Sequence, residues 1–332
     1  MGVDLDFRPY RRQFTRPLET AYGLWSWRQG LLVQMKNGQG QVGYGEIAPI
    51  PWFGSETLAE AEAFCHTLGE AWRPGPWPDG LPATQFGLDC ALADLAGDMT
   101  RTGKGPVVPS DSFANADICG LLPAGETALE VARQRIARGH RTLKWKIGVH
   151  DTAAEIHWLG RLIEVLTRDT HLRLDANGGL RFDEAEQWLT ACDRINADCQ
   201  VAAIEYLEQP LPTDQLEVMK ALGTRYQTAI ALDESVATLA QLEHCWASGW
   251  RGVMVVKPAI AGPPQRLQTF CQAHHPRLVF SSTFETPVGR RAALALAYRC
   301  SPEPVPALGF DTQGWFDDDW DTLTPAELWD RL

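Results

Sequence analysis

From about residue 114 onward, short apolar runs alternate with polar-faced helical stretches, and this repeat is the feature that most constrains the fold. The apolar runs are TLKWKI, LRLDA, AIEYLE, AIALDE, GVMVVK and LVFSS, and RFDEAEQWLTACDRI is a typical helical stretch. Such alternation predicts parallel strands linked by helices, and its regularity favours a closed barrel over an open sheet. We therefore predict an α/β fold built on a β/α barrel.

The residues before this repeat have a different pattern. Strands are predicted around LLVQMK and QVGYGEIAP, and helices in TLAEAEAFCHTLGEAW and ATQFGLDCALADLAG. The segment RTGKGPVVPSDSF predicts a linker, and the acidic, Trp-rich end of the chain is expected to pack back on the small domain. We expect an α+β domain over residues 1–110, a barrel over 111–310 and a returning tail over 311–332.

Composition narrows the class of function. The 332 residues carry a net charge of −12 without a basic run, so the electrostatic footprint of a nucleic-acid-binding protein is missing. A small molecule is therefore the expected partner. No apolar window approaches the length of a membrane span, and MGVDLDFRPYRRQF lacks the apolar stretch of a signal peptide. The sequence leaves the oligomeric state open, with a monomer as one expectation.

The eight cysteines are scattered without any C-x-x-C pair. This distribution predicts neither a zinc site nor a disulfide framework. It is typical of reduced, mostly buried thiols, and we expect a cytoplasmic enzyme.

A glycine motif near the N-terminus needs separate treatment. Gly38, Gly40 and Gly43 satisfy the G-x-G-x-x-G pattern of dinucleotide-binding proteins. A further strand, VGYGEI, follows them, whereas a dinucleotide-binding turn must open a helix. We therefore predict a hairpin turn at Asn37-Gly38.

Charged residues end nearly every central strand of the predicted barrel. Lys144 and Lys146 close the second strand, Asp175 the third, Glu208 the fourth, Asp233 the fifth and Lys257 the sixth. Catalytic groups of β/α barrels lie at the carboxyl ends of strands, and the i, i+2 spacing puts both lysines on one face. Any one of these motifs alone is usually a cap, a turn or a solvated pair. Six in this order predict an active site.

The three carboxylates would repel one another at the barrel mouth unless a cation lay among them. Oxygen-only ligands favour Mg²⁺, with Mn²⁺ as an alternative, over zinc. The ion would bind a carboxylate substrate and stabilise the enediolate that forms when the α-proton leaves. Lys146 is predicted to take that proton, and Lys257 to stabilise charge from the opposite face of the substrate.

Two further side chains share the face of Asp175. We predict that Asn177 supports this metal ligand and that Arg173 either binds the substrate or supports the site.

Two acidic neighbours are predicted to be structural. Strand alternation from Glu208 points Glu205 to the other face. Glu234 follows Asp233 and is expected to face away and brace the strand.

The runs LKWKIG, LRLDANGG, YLEQPL, ALDES, VVKPAIAG and VFSSTFETPVG together resemble the enolase superfamily over almost the whole chain. GYGEIAPIPWFGSETLAEA is similar to that superfamily's capping domain, whose loops close over the barrel mouth and select the substrate. The resemblance implies a modified TIM-type (β/α)7β barrel with a capping domain formed by the N-terminal segment and the C-terminal tail. It also implies a substrate pocket near residues 17–30 and 50–56, where Arg28 and Trp25 or Trp27 could act.

Within the superfamily, Lys-x-Lys on the second strand and Lys on the sixth resemble the muconate-lactonizing branch. The lack of a His-Asp pair speaks against relatives of mandelate racemase, and SSTFE stands where dipeptide epimerases carry D-x-D. SSTFETPVG together with ALGFDT most resembles the o-succinylbenzoate synthase family. Muconate cycloisomerase and N-acylamino acid racemase stay open as alternatives, as does a catalytically silent scaffold.

This resemblance implies syn dehydration of 2-succinyl-6-hydroxy-2,4-cyclohexadiene-1-carboxylate to 2-succinylbenzoate, a step toward menaquinone or phylloquinone. Lys146 would remove the α-proton and then protonate the departing hydroxyl, while Lys257 lies against the ring. Asp175, Glu208 and Asp233 would hold the metal.

The resemblance also implies a set of substrate-binding side chains, namely Lys144, Arg173, Ser281 and Ser282. The two serines are candidates for the succinyl tail, with Thr283 and Glu285 as weaker candidates. Ser and Thr at such a position are otherwise typical of helix N-caps.

Overall fold

An antiparallel sheet near the N-terminus and a larger parallel sheet organise the chain. The structure is a computed structural model that describes residues 2–20, 23–68, 77–97, 101–102, 105–106, 118–198, 203–302 and 304–332. Most of the predicted linker lies outside the described residues. Of that segment, only the paired backbones of β4 (Arg101–Thr102) and β5 (Gly105–Pro106) are described.

The N-terminal sheet contains the strands β1 (Val3–Thr20), β2 (Gly23–Asn37) and β3 (Val42–Ile47). Two helices, α1 (Leu58–Leu68) and α2 (Pro82–Leu95), lie in the same part of the chain. Leu31, Val33 and Met35 on one face of β2 are fully buried, as the alternating pattern predicts. This sheet and its helices form the predicted α+β unit.

The glycine motif forms a hairpin, as predicted. The Gly40 N–H donates to the carbonyl oxygen of Asn37 at 2.9 Å, and β3 follows directly. Gly43 allows α2 to pack closely on β3, since a Cβ there would lie 2.3 Å from the carbonyl oxygen of Ala91. The glycines therefore serve a turn and a close helix approach.

The strand β1 was not predicted. Its buried side chains are Tyr10, Arg12 and Phe14, which alternate correctly, but one of them is charged. Arg12 is buried because its guanidinium lies over the Phe316 ring at 3.8 Å and pairs with Asp318 at 2.7 Å. Both partners come from the end of the chain, so the strand pattern was not visible locally.

In the described residues, seven parallel strands form the larger sheet in the order β12-β11-β10-β9-β8-β7-β6. The strands are β6 (Gly120–Leu122), β7 (Thr142–Lys146), β8 (His171–Asp175), β9 (Ala203–Glu208), β10 (Ala229–Leu232), β11 (Val253–Val256) and β12 (Leu278–Phe280). The helices that follow are α3 (Ala128–Ala137), α4 (Thr152–Val165), α5 (Phe182–Asn196), α6 (Leu216–Arg225), α7 (Leu239–Ala247), α8 (Pro258–Ala261), α9 (Pro264–His274) and α10 (Pro287–Cys300). The predicted β/α repeat is confirmed.

A short segment closes this sheet into a barrel. Leu308 bridges Ile118, next to β6, and Gly309 bridges Ser281, next to β12, both in parallel. Gly309 is required at this contact, because a Cβ would lie 2.7 Å from the Ser281 Oγ. The segment acts as the eighth strand, which confirms the (β/α)7β barrel.

The main core lies between the strands and the surrounding helices. Trp145 on β7 and Trp188 on α5 are fully buried there, with ring centroids 6.0 Å apart. A smaller apolar cluster, which includes Tyr206, Val253 and Val255, fills the opposite face of the strands. Because apolar side chains fill much of that inner face, most of its charged side chains lie at or near the carboxyl ends of the strands. No described helix is long and apolar enough to cross a membrane.

The end of the chain returns to the N-terminal sheet. Phe316 bridges Phe14 on β1, and Leu328 and Trp329 of α11 (Pro325–Arg331) pack with Tyr10 and other residues of that sheet. The tail and the N-terminal segment thus form one capping unit.

Glu46 on β3 joins the capping unit to the barrel. It is almost fully buried and accepts hydrogen bonds from the Tyr10 hydroxyl at 2.5 Å and from the backbone N–H groups of Thr286 and Gly289 at 2.9 Å. The last two donors begin α10, so the carboxylate caps that helix from a different part of the chain. Burial raises the pKa of Glu46, although these hydrogen bonds oppose the rise.

We expect Glu46→Ala to lower the free energy of unfolding by about 3 kcal/mol, because it leaves buried donors without a partner. Urea unfolding followed by circular dichroism measures the change. Glu60→Ala is the control, since Glu60 is exposed and its hydrogen bonds, among the residues that the structure describes, come from the neighbouring Thr57. Equal effects of the two substitutions would contradict a connecting role for Glu46.

Candidate active site

The register of the barrel strands brings the predicted charged residues to one end. Lys146 on β7 pairs with Asp175 on β8, which in turn pairs with Glu208 on β9. Asp233 and Lys257 follow β10 and β11 directly. All of these residues therefore lie at the carboxyl ends of their strands, as predicted.

Lys144 lies between two of the carboxylates. Its Nζ is 2.7 Å from the Asp175 Oδ2 and 2.6 Å from the Glu208 Oε1. Burial acts to lower the pKa of Lys144, but Asp175 and Glu208 outweigh it and hold that pKa well above its usual value. The two carboxylates therefore favour the ammonium form of Lys144.

The surroundings of Glu208 disfavour the ionised form of its carboxyl group. Burial and the neighbouring Asp175 raise the pKa of Glu208 to about 8, although Lys144 acts against the rise. Its Oε2 atom is buried and has no hydrogen-bond partner in the described part of the chain. By contrast, Lys144 and the N–H of Asn177 outweigh burial and lower the pKa of Asp175. Within the described residues, the site therefore contains a buried carboxylate oxygen, Oε2 of Glu208, that no hydrogen bond satisfies.

Lys257 contacts both the barrel and the capping unit. Its ammonium group forms an ion pair with Asp233 and lies 4.0 Å from the ring centroid of Phe53. Phe53 belongs to a short 3-10 helix, Pro51–Phe53, that follows the N-terminal sheet. No pattern in the sequence predicts this contact, which joins two segments far apart in the chain.

Lys146 differs from the other two lysines. Within the described residues, its ammonium group makes no hydrogen bond or ion pair, and its side chain is partly exposed. Lys146 comes from the second barrel strand and Lys257 from the sixth of eight, so they approach from opposite sides of the ring. A substrate between them would meet one lysine on each face.

The turn after β10 corrects one prediction. Glu234 faces the site: its Oε1 accepts a hydrogen bond from the Asn177 side chain at 3.2 Å. Burial, followed by Asp233 and Asp175, raises the pKa of Glu234 to about 7. The prediction that Glu234 faces away was wrong, because β10 ends at Leu232 and strand alternation no longer applies.

Asn177 lies where the sequence predicts, next to Asp175. Its backbone N–H donates to the Asp175 Oδ1 at 3.0 Å, and its φ of 45° is in the left-handed region. The residue thus fixes the orientation of that carboxylate while its side chain holds Glu234.

Arg173 is buried deeper in the barrel and pairs with the partly exposed Glu205. The Arg173 Nε donates to the Glu205 Oε2 at 2.6 Å, and another guanidinium nitrogen donates to the Ala307 carbonyl oxygen at 2.8 Å. The register between β8 and β9 shifts next to Arg173, so Glu205 occupies an extra position and turns toward it. These contacts favour a structural role for Arg173 over the predicted substrate-binding role.

The loop after β12 uses the predicted serines internally. The Ser281 hydroxyl donates to the Gly309 carbonyl oxygen at 3.3 Å, and the Ser282 hydroxyl donates to Glu285 at 2.9 Å. Glu285 also accepts from the Thr283 N–H at 2.6 Å. The loop is therefore a preformed turn, and substrate binding by its serines stays a prediction.

Aromatic side chains of the capping unit cover this loop. Phe284, at a φ of 61°, contacts the rings of Phe14 and Trp25 at centroid distances of 5.3 Å and 5.8 Å. Trp25 also contacts Trp52 at 5.1 Å. Arg28 is buried and donates to the Pro49 carbonyl oxygen at 3.0 Å, so it anchors the segment that carries these rings. The mouth of the barrel has an apolar cover.

The donor set fits a hard divalent cation. Asp175, Glu208 and Asp233 offer only oxygen atoms, and one of the Glu208 oxygens is buried without a partner. Among the described residues, no three Asp, Glu, His or Cys side chains lie close enough together to hold a metal ion, and the ammonium groups of Lys144 and Lys257 lie against these carboxylates. Binding a cation therefore requires these ion pairs to lengthen.

Two family models match the chain. Residues 127–325 match the family described as enolase C-terminal domain-like, and residues 23–95 match the N-terminal domain of MenC. Together they cover both the barrel and the capping unit.

Individual proteins are similar over nearly the same length. The o-succinylbenzoate synthase of Thermosynechococcus vestitus is 38% identical over 98% of both chains, and that of Edwardsiella ictaluri is 33% identical over 85% of this chain and 82% of that protein. The crystal structure of o-succinylbenzoate synthase from Thermosynechococcus elongatus, with Mg in the active site, superimposes with a TM-score of 0.87 at 37% identity and covers 99% of both chains. The L-Ala-D/L-Glu epimerase from Bacillus subtilis has a TM-score of 0.71 at 22% identity, which is a likeness of fold.

Proposed function

The chain belongs to the o-succinylbenzoate synthase family of the enolase superfamily, and on that basis we propose how its own residues perform the dehydration. The protein is a carbon–oxygen lyase that converts 2-succinyl-6-hydroxy-2,4-cyclohexadiene-1-carboxylate to 2-succinylbenzoate and water. We propose that this reaction is a step toward menaquinone or phylloquinone and that it takes place in the cytoplasm. The proposal rests on Lys146, which makes no ion pair within the described residues and lies across the barrel mouth from Lys257, with three carboxylates between them.

Lys146 acts twice in this proposal. Its neutral amine takes the proton from the ring carbon that carries the carboxylate, and the resulting ammonium gives a proton to the departing hydroxyl on the same face. One C–H bond and one C–O bond break, water leaves, and the ring becomes aromatic. No ion pair holds the Lys146 nitrogen in the part of the chain that the structure describes, so this nitrogen is available to the substrate.

Lys257 provides positive charge on the other face of the ring. Asp233 and the Phe53 ring fix the position of its ammonium group, so the charge is in place before the proton moves. Lys144 stays protonated between Asp175 and Glu208 and contacts the substrate carboxylate.

Asp175, Glu208 and Asp233 would hold a divalent metal ion, with Asn177 orienting the first of them. When bound, Mg²⁺, or Mn²⁺ in its place, would supply positive charge that stabilises the negative charge developing on the substrate carboxylate as the α-proton leaves. The proposed division of the chain is a cap over residues 1–110, a barrel over 111–310 and a tail over 311–332.

The direct test supplies the purified protein and Mg²⁺ with the cyclohexadiene substrate and follows 2-succinylbenzoate by its absorbance. Muconate lactones and N-acyl amino acids are the comparison substrates. Dehydration should have by far the largest kcat/KM. Faster lactone formation or faster racemisation would replace the proposed activity with one of those reactions.

Phe53→Leu should lower kcat by about tenfold, because a contact of an ammonium group with an aromatic face contributes about 1–2 kcal/mol. Leucine keeps an apolar side chain but removes the ring. Trp52→Leu is the control, since Trp52 is in the same short helix and contacts Trp25 rather than Lys257. An unchanged kcat with a raised KM would mean that Phe53 only shapes the pocket.

A further inference from the structure

Gln209 follows Glu208 at the end of β9 and takes no part in the proposed chemistry. Its side chain is fully buried. Its φ of 35° lies in the left-handed region, which is uncommon for a residue with a side chain. Such backbone strain persists only where surrounding contacts hold it, and it often marks a functional constraint.

The main chain of Gln209 ties together the two neighbouring strand ends. Its N–H donates to the carbonyl oxygen of Ala231 on β10 at 2.8 Å, and its own carbonyl oxygen accepts from the Gly178 N–H at 2.7 Å. Gly178 belongs to the turn that follows Asp175. The backbone of one residue therefore connects the ends of β8, β9 and β10.

The side chain of Gln209 holds the turn that carries Asp233. Its Oε1 accepts from the backbone N–H of Asp233 at 3.0 Å and from that of Ser235 at 3.2 Å. Its Nε2 donates to the Ser235 hydroxyl at 2.8 Å and to the Leu211 carbonyl oxygen at 3.0 Å. Both ends of the amide are used.

These contacts require a primary amide of this length. A glutamate has acceptor atoms but no donor for Leu211 when it is ionised. A methionine of similar size leaves the N–H of Asp233 without a partner. An asparagine is one methylene shorter and cannot span from Asp233 to Leu211.

We propose that Gln209 is a positioning residue that holds together the strand ends carrying Asp175, Glu208 and Asp233, so that these carboxylates can converge on a divalent cation. The inference rests on the proposed function, which assigns these carboxylates to the metal. Like charges tend to spread apart, and Mg²⁺ tolerates little deviation from its preferred geometry. A clamp that reaches all three strand ends opposes this spreading before the cation binds.

The test measures Mg²⁺ binding to the full-length protein by isothermal titration calorimetry. Gln209→Met and Gln209→Asn should each weaken Mg²⁺ binding by about 10- to 100-fold, the range for groups that orient metal ligands. Raising the Mg²⁺ concentration should restore most of the lost turnover. A residue that contributes only to folding would change the unfolding temperature and leave the Mg²⁺ dependence of the rate unchanged.

Asn196→Ala is the matched control, because the Asn196 amide also accepts from and donates to the backbone, at Ile204 near the start of β9. It should bind Mg²⁺ like the wild type. An equal loss in this variant would overturn the proposal, since the effect would then come from loosening β9 in general. If Gln209→Met does not fold, the Gln209→Asn variant decides.

Glu208→Gln separates this inference from the function on which it rests. If Glu208→Gln loses Mg²⁺ binding while both Gln209 variants keep wild-type affinity, the role of Gln209 is refuted and the metal assignment stands. If Glu208→Gln binds Mg²⁺ as the wild type does, the metal assignment fails and the role of Gln209 fails with it.

Discussion

Lys146→Ala is expected to lower kcat for dehydration by about 10⁴-fold, because one side chain supplies both the base and the acid of the reaction. Lys257→Ala should cost about 10²- to 10³-fold, the range for the loss of one preorganised charge. Steady-state kinetics with the cyclohexadiene substrate at saturating Mg²⁺ measures both. The difference in size follows from the different contacts of the two ammonium groups.

Lys36→Ala controls for the general loss of a lysine, since Lys36 is exposed on β2 in the capping unit. It should leave kcat and KM unchanged. If Lys146→Ala and Lys257→Ala each kept wild-type turnover, the two-lysine mechanism would have to be abandoned. If only Lys257→Ala were inactive, the base would be on the other face and the two roles would be exchanged.

The barrel and its charged strand ends were predictable because each strand is an apolar run that stops at a charged residue. Lys146, Asp175 and Glu208 are in direct register across β7, β8 and β9. A parallel sheet with short connections leaves few other arrangements for such runs. The order of these residues along the chain was therefore enough to predict that the three carboxylates and the lysines meet at one end of the barrel.

Predictions from strand alternation failed where the strand geometry ends or changes. Glu234 lies one residue beyond Asp233 in a 3-10 turn, so alternation could not say where its side chain points. Glu205 occupies an extra position in a register shift and turns toward Arg173. A single inserted residue reverses the face of a side chain, and the sequence alone did not reveal it.

Contacts between segments that are far apart in the sequence could not be predicted either. Phe53 meets Lys257 and Glu46 meets Thr286 only because the capping unit lies against the barrel. The burial of Arg12 likewise depends on Asp318 near the end of the chain. Each of these residues looks like an ordinary surface or strand residue until the tertiary fold brings its partner.

Removal of the divalent cation is expected to have an effect as large as the loss of Lys146. Treatment with EDTA should reduce dehydration by at least about 10³-fold, because positive charge at the substrate carboxylate contributes several kcal/mol. Added Mg²⁺ or Mn²⁺ should restore it. Asp233→Asn should weaken Mg²⁺ binding by more than about 100-fold, beyond the range for groups that only orient a ligand.

Glu205→Gln makes this prediction specific, because it removes a carboxylate from the same barrel without touching the three proposed ligands. Glu205 pairs with Arg173, so its loss should lower stability but leave Mg²⁺ affinity unchanged. Burial and the neighbouring carboxylates raise the pKa of Glu208, although the Lys144 ammonium group lies beside it. The double positive charge of a metal ion would stabilise the ionised Glu208 carboxylate more than a single ammonium group does. If EDTA left turnover intact while Asp233→Asn kept full Mg²⁺ affinity, the carboxylates would be partners of the two lysines alone.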